Sequence, residues 1–355
     1  MTKATASSGL FGGLRAHALW GLLVALSVLL SGMLTMAGLP AAWLLGPMLA
    51  GILIATNGGE IKPPRPFVLA AQTVVGCLVA RAITADIVLA FVKGWPLFLG
   101  TVLVIIGTSA LLGWLIARFG ALPGTTAVWG TAPGAASAMF VMAGAFGADA
   151  RLVAFMQYLR VVCVAGLASI VARLWVGHTV APAVVWFPAV HWGDFGATLL
   201  IAAVAGGLGV ALQIPAGALL FPMIAGGVLE GTGLVTILLP PWLLAISYAF
   251  LGWSVGLGFT REILSHAWRA LPQVLLAIFV MIGVCGGLAF MLVHVAGIDP
   301  LTAYLATSPG GMDSVAIIGA SSNADLSFVM ALQGARFLIV LIAGPPLARF
   351  IAQRV

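Results

Sequence analysis

The chain has 355 residues, 62% of them apolar and only 7% charged, with a net charge of +6. That composition suits a bilayer as solvent and excludes the soluble globular classes. The 15 Lys and Arg residues are scattered and form no basic patch, which excludes nucleic acid as a partner and leaves the positive excess as a topology signal at lipid headgroups.

Residues 1–39 imitate a secretory signal, because Lys3 and Arg15 precede an apolar run and Met36-Ala37-Gly38 offers small residues for cleavage. The same run returns at 195–214 in the middle of the chain, so it is read as a mature span. The first half divides into apolar segments at approximately 17–38, 41–57, 67–85, 95–117, 125–146 and 152–176. The second gives 195–213, 216–232, 242–260, 271–297, 302–320 and 326–351. A crossing helix needs roughly 20 apolar residues, so the second segment of each half is expected to be tilted or partly interfacial. The fifth is long enough but carries Pro-Gly in its middle. Residues 177–194 are proline-interrupted and contain His and Trp, as suits an interfacial linker, leaving 1–176 and 195–355 as two membrane repeats.

The repeats share a register. Gly130-Thr131-Ala132-Pro133-Gly134, followed by Asp149, Gln157 and Arg160, returns at an offset of 176 as Ala306-Thr307-Ser308-Pro309-Gly310, followed by Asp325, Gln333 and Arg336. Gly76 pairs with Gly252, Thr84 with Thr260 and Pro96 with Pro272; one residue off, Pro40 and Pro47-Met48 pair with Pro215 and Pro222-Met223. Duplicated units of this kind build the central site of many transporters.

If all twelve segments cross, the halves are parallel, and eight basic residues face the cytoplasm against five outside. If each fifth segment dips in and returns, ten segments cross and the second half is inverted. Lys3, Arg15, Lys62, Arg65, Arg118, Arg151, Arg261, Arg269, Arg349 and Arg354 then lie inside, and only Arg81, Lys93 and Arg173 outside. The positive-inside rule favours the second arrangement, with a cytoplasmic N-terminus. The expected fold is an all-α polytopic membrane protein of two inverted repeats with about ten crossings and two broken, re-entrant segments; twelve crossings is the alternative.

The broken segments are the candidate site. Proline removes a donor and stops a helix, the adjacent glycine frees the backbone, and exposed helix ends at depth offer N–H groups to anions or carbonyls to cations. Thr131, Ser137, Thr307, Ser308 and Ser314 place hydroxyls around Pro133-Gly134 and Pro309-Gly310. The structural alternative is a kink in a packed helix. Arg160 and Arg336 each follow a glutamine, Gln157 and Gln333, by three residues and so share its helical face. Such a buried cation either holds an anionic group of a solute, its guanidinium fork matching carboxylate or phosphate oxygens, or bonds Pro-Gly carbonyls or pairs with Asp149 and Asp325. Asp313 is the one acid within a Pro-Gly element; it is a candidate proton or sodium site, or else a partner of Arg160 or Arg336, and its counterpart is Ser137.

The five histidines show no metal-ligand spacing, and Cys77, Cys163 and Cys285 no C-x-x-C spacing, so no metal, disulfide or cofactor is expected. No nucleophile–base pair stands out either, which argues against an enzyme.

The run Pro40, Trp43, Gly46, Pro47 at the start of a half, then Ala132-Pro133-Gly134, then Gly147, Asp149, Arg151, Gln157 and Arg160, resembles the bacterial AbrB membrane family over nearly the whole chain. This family is distinct from the soluble DNA-binding regulator that shares its name. The resemblance implies two tandem hydrophobic domains in the bacterial inner membrane, and the labels regulation of gene expression and ammonia monooxygenase. The sequence contains neither a DNA-binding module nor a copper-ligand cluster to match those labels. Family members often carry an acid after Pro-Gly-Gly. Here Gly134-Ala135-Ala136-Ser137 lacks it and Gly310-Gly311-Met312-Asp313 keeps it. A more distant similarity is to inverted-repeat antiporters and carboxylate symporters. Transport of a small anionic solute, coupled to H+ or Na+, is therefore the expected function, with a membrane-embedded regulator acting through a partner protein as the alternative. A homodimer stays open.

Overall fold

The computed structural model describes residues 11, 14–37, 42–81, 94–120, 122, 124–134, 136–176, 185–214, 216–310 and 324–352. Among them all regular structure is helical: α1 (Ala16–Met36), α2 (Ala42–Thr56), α3 (Arg65–Ala80), α4 (Trp95–Phe119), α5 (Gly124–Thr131), α6 (Ala136–Ala145) and α7 (Ala150–Val176), then α8 (Trp192–Ala211), α9 (Gly217–Gly231), α10 (Pro241–Gly256), α11 (Arg261–Ala296), α12 (Pro300–Thr307) and α13 (Leu326–Ala352). Helices α1, α4, α8 and α11 are each long and apolar enough to cross a bilayer. Helix α13 adds a fifth span if its two arms, which meet at 47°, count as one. Its bend falls one turn before Pro345-Pro346, where a proline ring meets the carbonyl four residues back. The chain is an integral membrane protein.

Local chemistry sets the boundaries. Helices α3, α4, α10 and α12 carry a proline in their first two positions, where the missing N–H costs nothing. Asp299 caps α12 by accepting from the Thr302 backbone N–H at 2.9 Å. Helix α11 starts at Arg261, well before the apolar boundary expected at 271. Thr260 caps it, and its first turns expose Arg261, Glu262, His266 and Arg269 to solvent. The apolar run marks only the part inside the hydrocarbon; at about 1.5 Å per residue a 36-residue helix extends well past a core about 30 Å thick.

The helices sort by position within each half and not by half. One bundle contains α1, α2 and α3 with α8, α9 and α10; the other contains α4 to α7 with α11, α12 and α13. In the first bundle α3 packs on α9 and α10 on α2; in the second, α5 packs on α13 and α12 on α7. A continuous apolar core joins the bundles, with Leu44, Met48, Val75, Leu219 and Leu251 on one side and Trp129, Met139, Phe140, Ala154 and Tyr158 on the other. Two polar bonds also cross at one end of the molecule. Arg151 Nη1 donates to the Gly258 carbonyl at 2.7 Å, and Arg261 Nε to the Thr56 carbonyl at 2.7 Å.

Candidate functional site

A helical carbonyl normally accepts from the N–H four residues on. Pro133 and Pro309 have no N–H, so the carbonyls of Trp129 and Leu305 lose that partner at the moment α5 and α12 end. Both carbonyls are buried in an apolar interior where water is scarce, and each is recovered by a side chain from a distant helix. Gln157 Nε2 donates to the Trp129 carbonyl at 2.8 Å and to the Ala132 carbonyl at 2.9 Å. Gln333 Nε2 donates to the Leu305 carbonyl at 2.8 Å and to the Ser308 carbonyl at 3.1 Å.

The arginine one turn further along completes each clasp. Arg160 Nη1 donates to the Ala132 carbonyl at 2.7 Å, and its Nη2 to the Gly134 carbonyl at 3.1 Å and to Gln157 Oε1 at 2.8 Å. Arg336 Nη1 reaches the Ser308 carbonyl at 2.8 Å and the Thr307 carbonyl at 3.5 Å, and its Nη2 reaches Gln333 Oε1 and the Gly310 carbonyl. Gln157 and Gln333 are fully buried and both arginines are 3% exposed. The fork that could have gripped a carboxylate is occupied by backbone. Among the described residues neither Nε–H finds a partner, nor does the Ser308 hydroxyl, and all three are buried.

The threonines that end the two short helices tie them to the preceding spans. Thr131 Oγ1 donates to the carbonyls of Ala127 at 3.0 Å and Ser109 at 3.1 Å, and Ser109 Oγ returns a bond to the Thr131 carbonyl at 2.9 Å. Thr307 Oγ1 donates to the carbonyls of Ala303 at 2.9 Å and Cys285 at 3.0 Å. Arg160 and Arg336 lie within electrostatic reach of each other, and both within reach of Cys285.

Comparison with known proteins gives this arrangement a family. Residues 43–352 match a family described as Transition state regulatory protein AbrB. The chain belongs to the AbrB family. It is 48% identical over 336 residues to the Escherichia coli (strain K12) protein named "Putative regulator AbrB", covering 94% of this chain and 96% of that relative. It is 24% identical over 359 residues to the Bacillus subtilis (strain 168) protein named "Uncharacterized protein YhjN", covering 92% of each chain.

In this AbrB-family chain Thr131, Pro133, Gly134, Gln157 and Arg160 come together at the first break, and Thr307, Ser308, Pro309, Gly310, Gln333 and Arg336 at the second. Ser137 falls in the first turn of α6. Asp313 and Ser314 lie outside the described residues. The aspartates do not meet the arginines of the clasps. Asp149 pairs with Arg151, Oδ1 to Nε at 3.0 Å, and exposed Asp325 accepts from the Phe328 backbone N–H at 3.0 Å. Their backbone N–H groups are anchored alike, Asp149 to Thr126 Oγ1 at 3.1 Å and Asp325 to Thr302 Oγ1 at 3.0 Å.

Sequence reasoning missed Thr126, Thr302, Ser109 and Cys285. Thr126 and Thr302 were available at the same offset of 176. Ser109 and Cys285 occupy matching positions too, but the change of residue type hides the match.

Proposed function

We propose that this AbrB-family membrane protein is a secondary transporter of a small anionic solute and not an enzyme. In this reading residues 1–176 and 195–355 are inverted membrane repeats joined by the linker 177–194, with ten crossings, two re-entrant fifth segments and a cytoplasmic N-terminus. The observation that carries it is the pair of buried glutamine–arginine clasps, one on each broken helix, whose cations lie within reach of each other. Broken helices that face one another at depth are the usual setting of a transported solute. The sorting of helices into two bundles supplies bodies that can move past each other around that site. Asp313 is the candidate carboxylate for a coupling proton or sodium ion.

Purified protein in liposomes is expected to catalyse flux of a member of a panel of organic acids, amino acids and inorganic anions, and Arg160→Ala and Arg336→Ala to abolish it. Arg160→Lys keeps a cation at the first clasp and controls for folding. Full flux in both alanine variants would remove the clasps from the pathway. A second reading is favoured by the names of the family and of its Escherichia coli relative: a membrane-embedded regulator that acts through a partner protein. Recovery of a stoichiometric partner, with no flux for any solute of the panel, would select it.

A further inference from the structure

Three long helices of the second bundle end alike. On the exposed side of α4, Leu111 and Leu115 recur at helical spacing, and the next residue of that stripe is Arg118. On α11 the stripe of Leu276 and Pro272 leads back to Arg269, and on α13 that of Ile342 and Pro346 leads on to Arg349. Each arginine is exposed and has an exposed ring next to it in the chain, Phe119, Trp268 or Phe350. All three lie at one end of the molecule. A Cβ added at Gly120, just past α4, would meet the Gln273 side chain, one turn of α11 from Arg269. Leu122 shares an apolar cluster with Ala267 of α11 and with Leu152 at the start of α7. The Arg349 guanidinium stands 5.5 Å from the centre of the Phe146 ring, shortly before α7 begins. At the far ends of α11 and α13 stand the acids Asp299 and Asp325 instead.

An occupant of these faces has to be apolar along the stripe and anionic where the stripe stops. A phospholipid has that order built in: acyl chains, then a phosphate whose oxygens match the guanidinium fork. Trp268 suits the level between them, where indole rings gather. An acidic protein segment would match the arginines but not the apolar stripes. Among the described residues no carboxylate pairs with Arg118, Arg269 or Arg349. Three like charges at one end favour a headgroup of net negative charge over a zwitterionic one, whose own cation they repel. We infer that the outer faces of α4, α11 and α13 bind anionic phospholipid at this end, with phosphates on Arg118, Arg269 and Arg349 and acyl chains on the stripes that lead to them. The site is separate from the proposed transport pathway, since it uses outer faces and leaves the clasps untouched.

Thermal unfolding of full-length protein in nanodiscs tests it, as phosphatidylglycerol replaces phosphatidylcholine at equal ionic strength. The expected result is a saturable rise in melting temperature of several degrees with phosphatidylglycerol. Inorganic phosphate or polyglutamate added to phosphatidylcholine discs is expected to change nothing. Each single exchange, Arg118→Gln, Arg269→Gln or Arg349→Gln, is expected to weaken lipid binding roughly fivefold, and the three together to erase the rise. Arg81→Gln, exposed at the far end of α3, is expected to keep it. Should the triple variant fail to fold, Arg118→Gln with Arg269→Gln decides, and is expected to lose most of the rise. Equal melting in the two lipids overturns the inference, and so does a rise that survives the triple exchange or disappears with Arg81→Gln. An equal rise with phosphate or with polyglutamate overturns the lipid assignment and makes the arginines a site for a soluble anion or an acidic protein segment.

Discussion

At the scale of single residues, the clasps answer a debt created by proline. Pro133 leaves the Trp129 carbonyl without its helical donor, and Gln157 supplies the replacement from a helix 28 residues further along. The second half repeats the arrangement with Pro309, Leu305 and Gln333. Gln157→Leu is nearly isosteric but leaves the Trp129 carbonyl buried without a donor and removes the Gln157 Oε1 acceptor of Arg160. The expected destabilisation is about 1–3 kcal/mol for the stranded carbonyl, read as a lower melting temperature in detergent. Tyr158→Phe on the same helix is the contrast. Among the described residues the buried Tyr158 hydroxyl has no partner, so its removal is expected to leave the melting temperature unchanged or slightly higher. Equal melting of Gln157→Leu and the wild type would mean that the break does not need the glutamine.

At the scale of elements, the first bundle depends on glycines at its helix crossings. A Cβ added at Gly76 in α3 would run into the Leu219 carbonyl of α9, and one at Gly252 in α10 would lie 2.7 Å from the Leu44 carbonyl of α2. Backbone cannot withdraw as a flexible side chain can, so Gly76→Ala and Gly252→Ala are each expected to cost about 1–3 kcal/mol by overpacking. Gly286→Ala in α11 meets nothing within 4 Å and is the matched control, expected to melt like the wild type. The sequence showed Gly76 and Gly252 as partners in register, but not that each contacts a helix of the opposite half. Most segment boundaries were legible, because apolar run length and Pro-Gly punctuation are local signals. The start of α11 was not, since its first turns are polar and lie beyond the apolar run. Bundle sorting was illegible for a different reason: it depends on which apolar faces meet, and nearly every face of this chain is apolar. At the site, repetition marked Gln157, Arg160, Gln333 and Arg336, but a buried guanidinium does not itself reveal whether backbone or solute fills its fork.

At the scale of the whole molecule, the two bundles are fastened at one end. Arg151 binds the Gly258 carbonyl and Arg261 the Thr56 carbonyl, both next to the α10–α11 connection, and Asp149 steadies Arg151 through its Nε at 3.0 Å. The offset of 176 maps Arg151 to Ser327 and Arg261 to Ala85, so the equivalent positions carry no arginine to make the same fastening. In the proposed transport cycle, a fastening at one end makes the resting states unequal, with the tied end closed. Breaking both bonds removes about 1–3 kcal/mol of closure, at roughly 0.5–1.5 kcal/mol each, which raises the open population roughly 5- to 150-fold. Ala154 reports on this, since it is buried in the shared core one turn beyond Arg151 on the same face of α7. With Cys77, Cys163 and Cys285 replaced, Ala154→Cys is expected to react slowly with a membrane-impermeant thiol reagent, and at least about fivefold faster when Arg151→Ala and Arg261→Ala are added. The increase should come from the cytoplasmic side, where the positive-inside rule puts both arginines. An unchanged rate would show that the apolar core alone holds this end shut, and acceleration from the opposite side would reverse the proposed orientation while leaving the fastening intact.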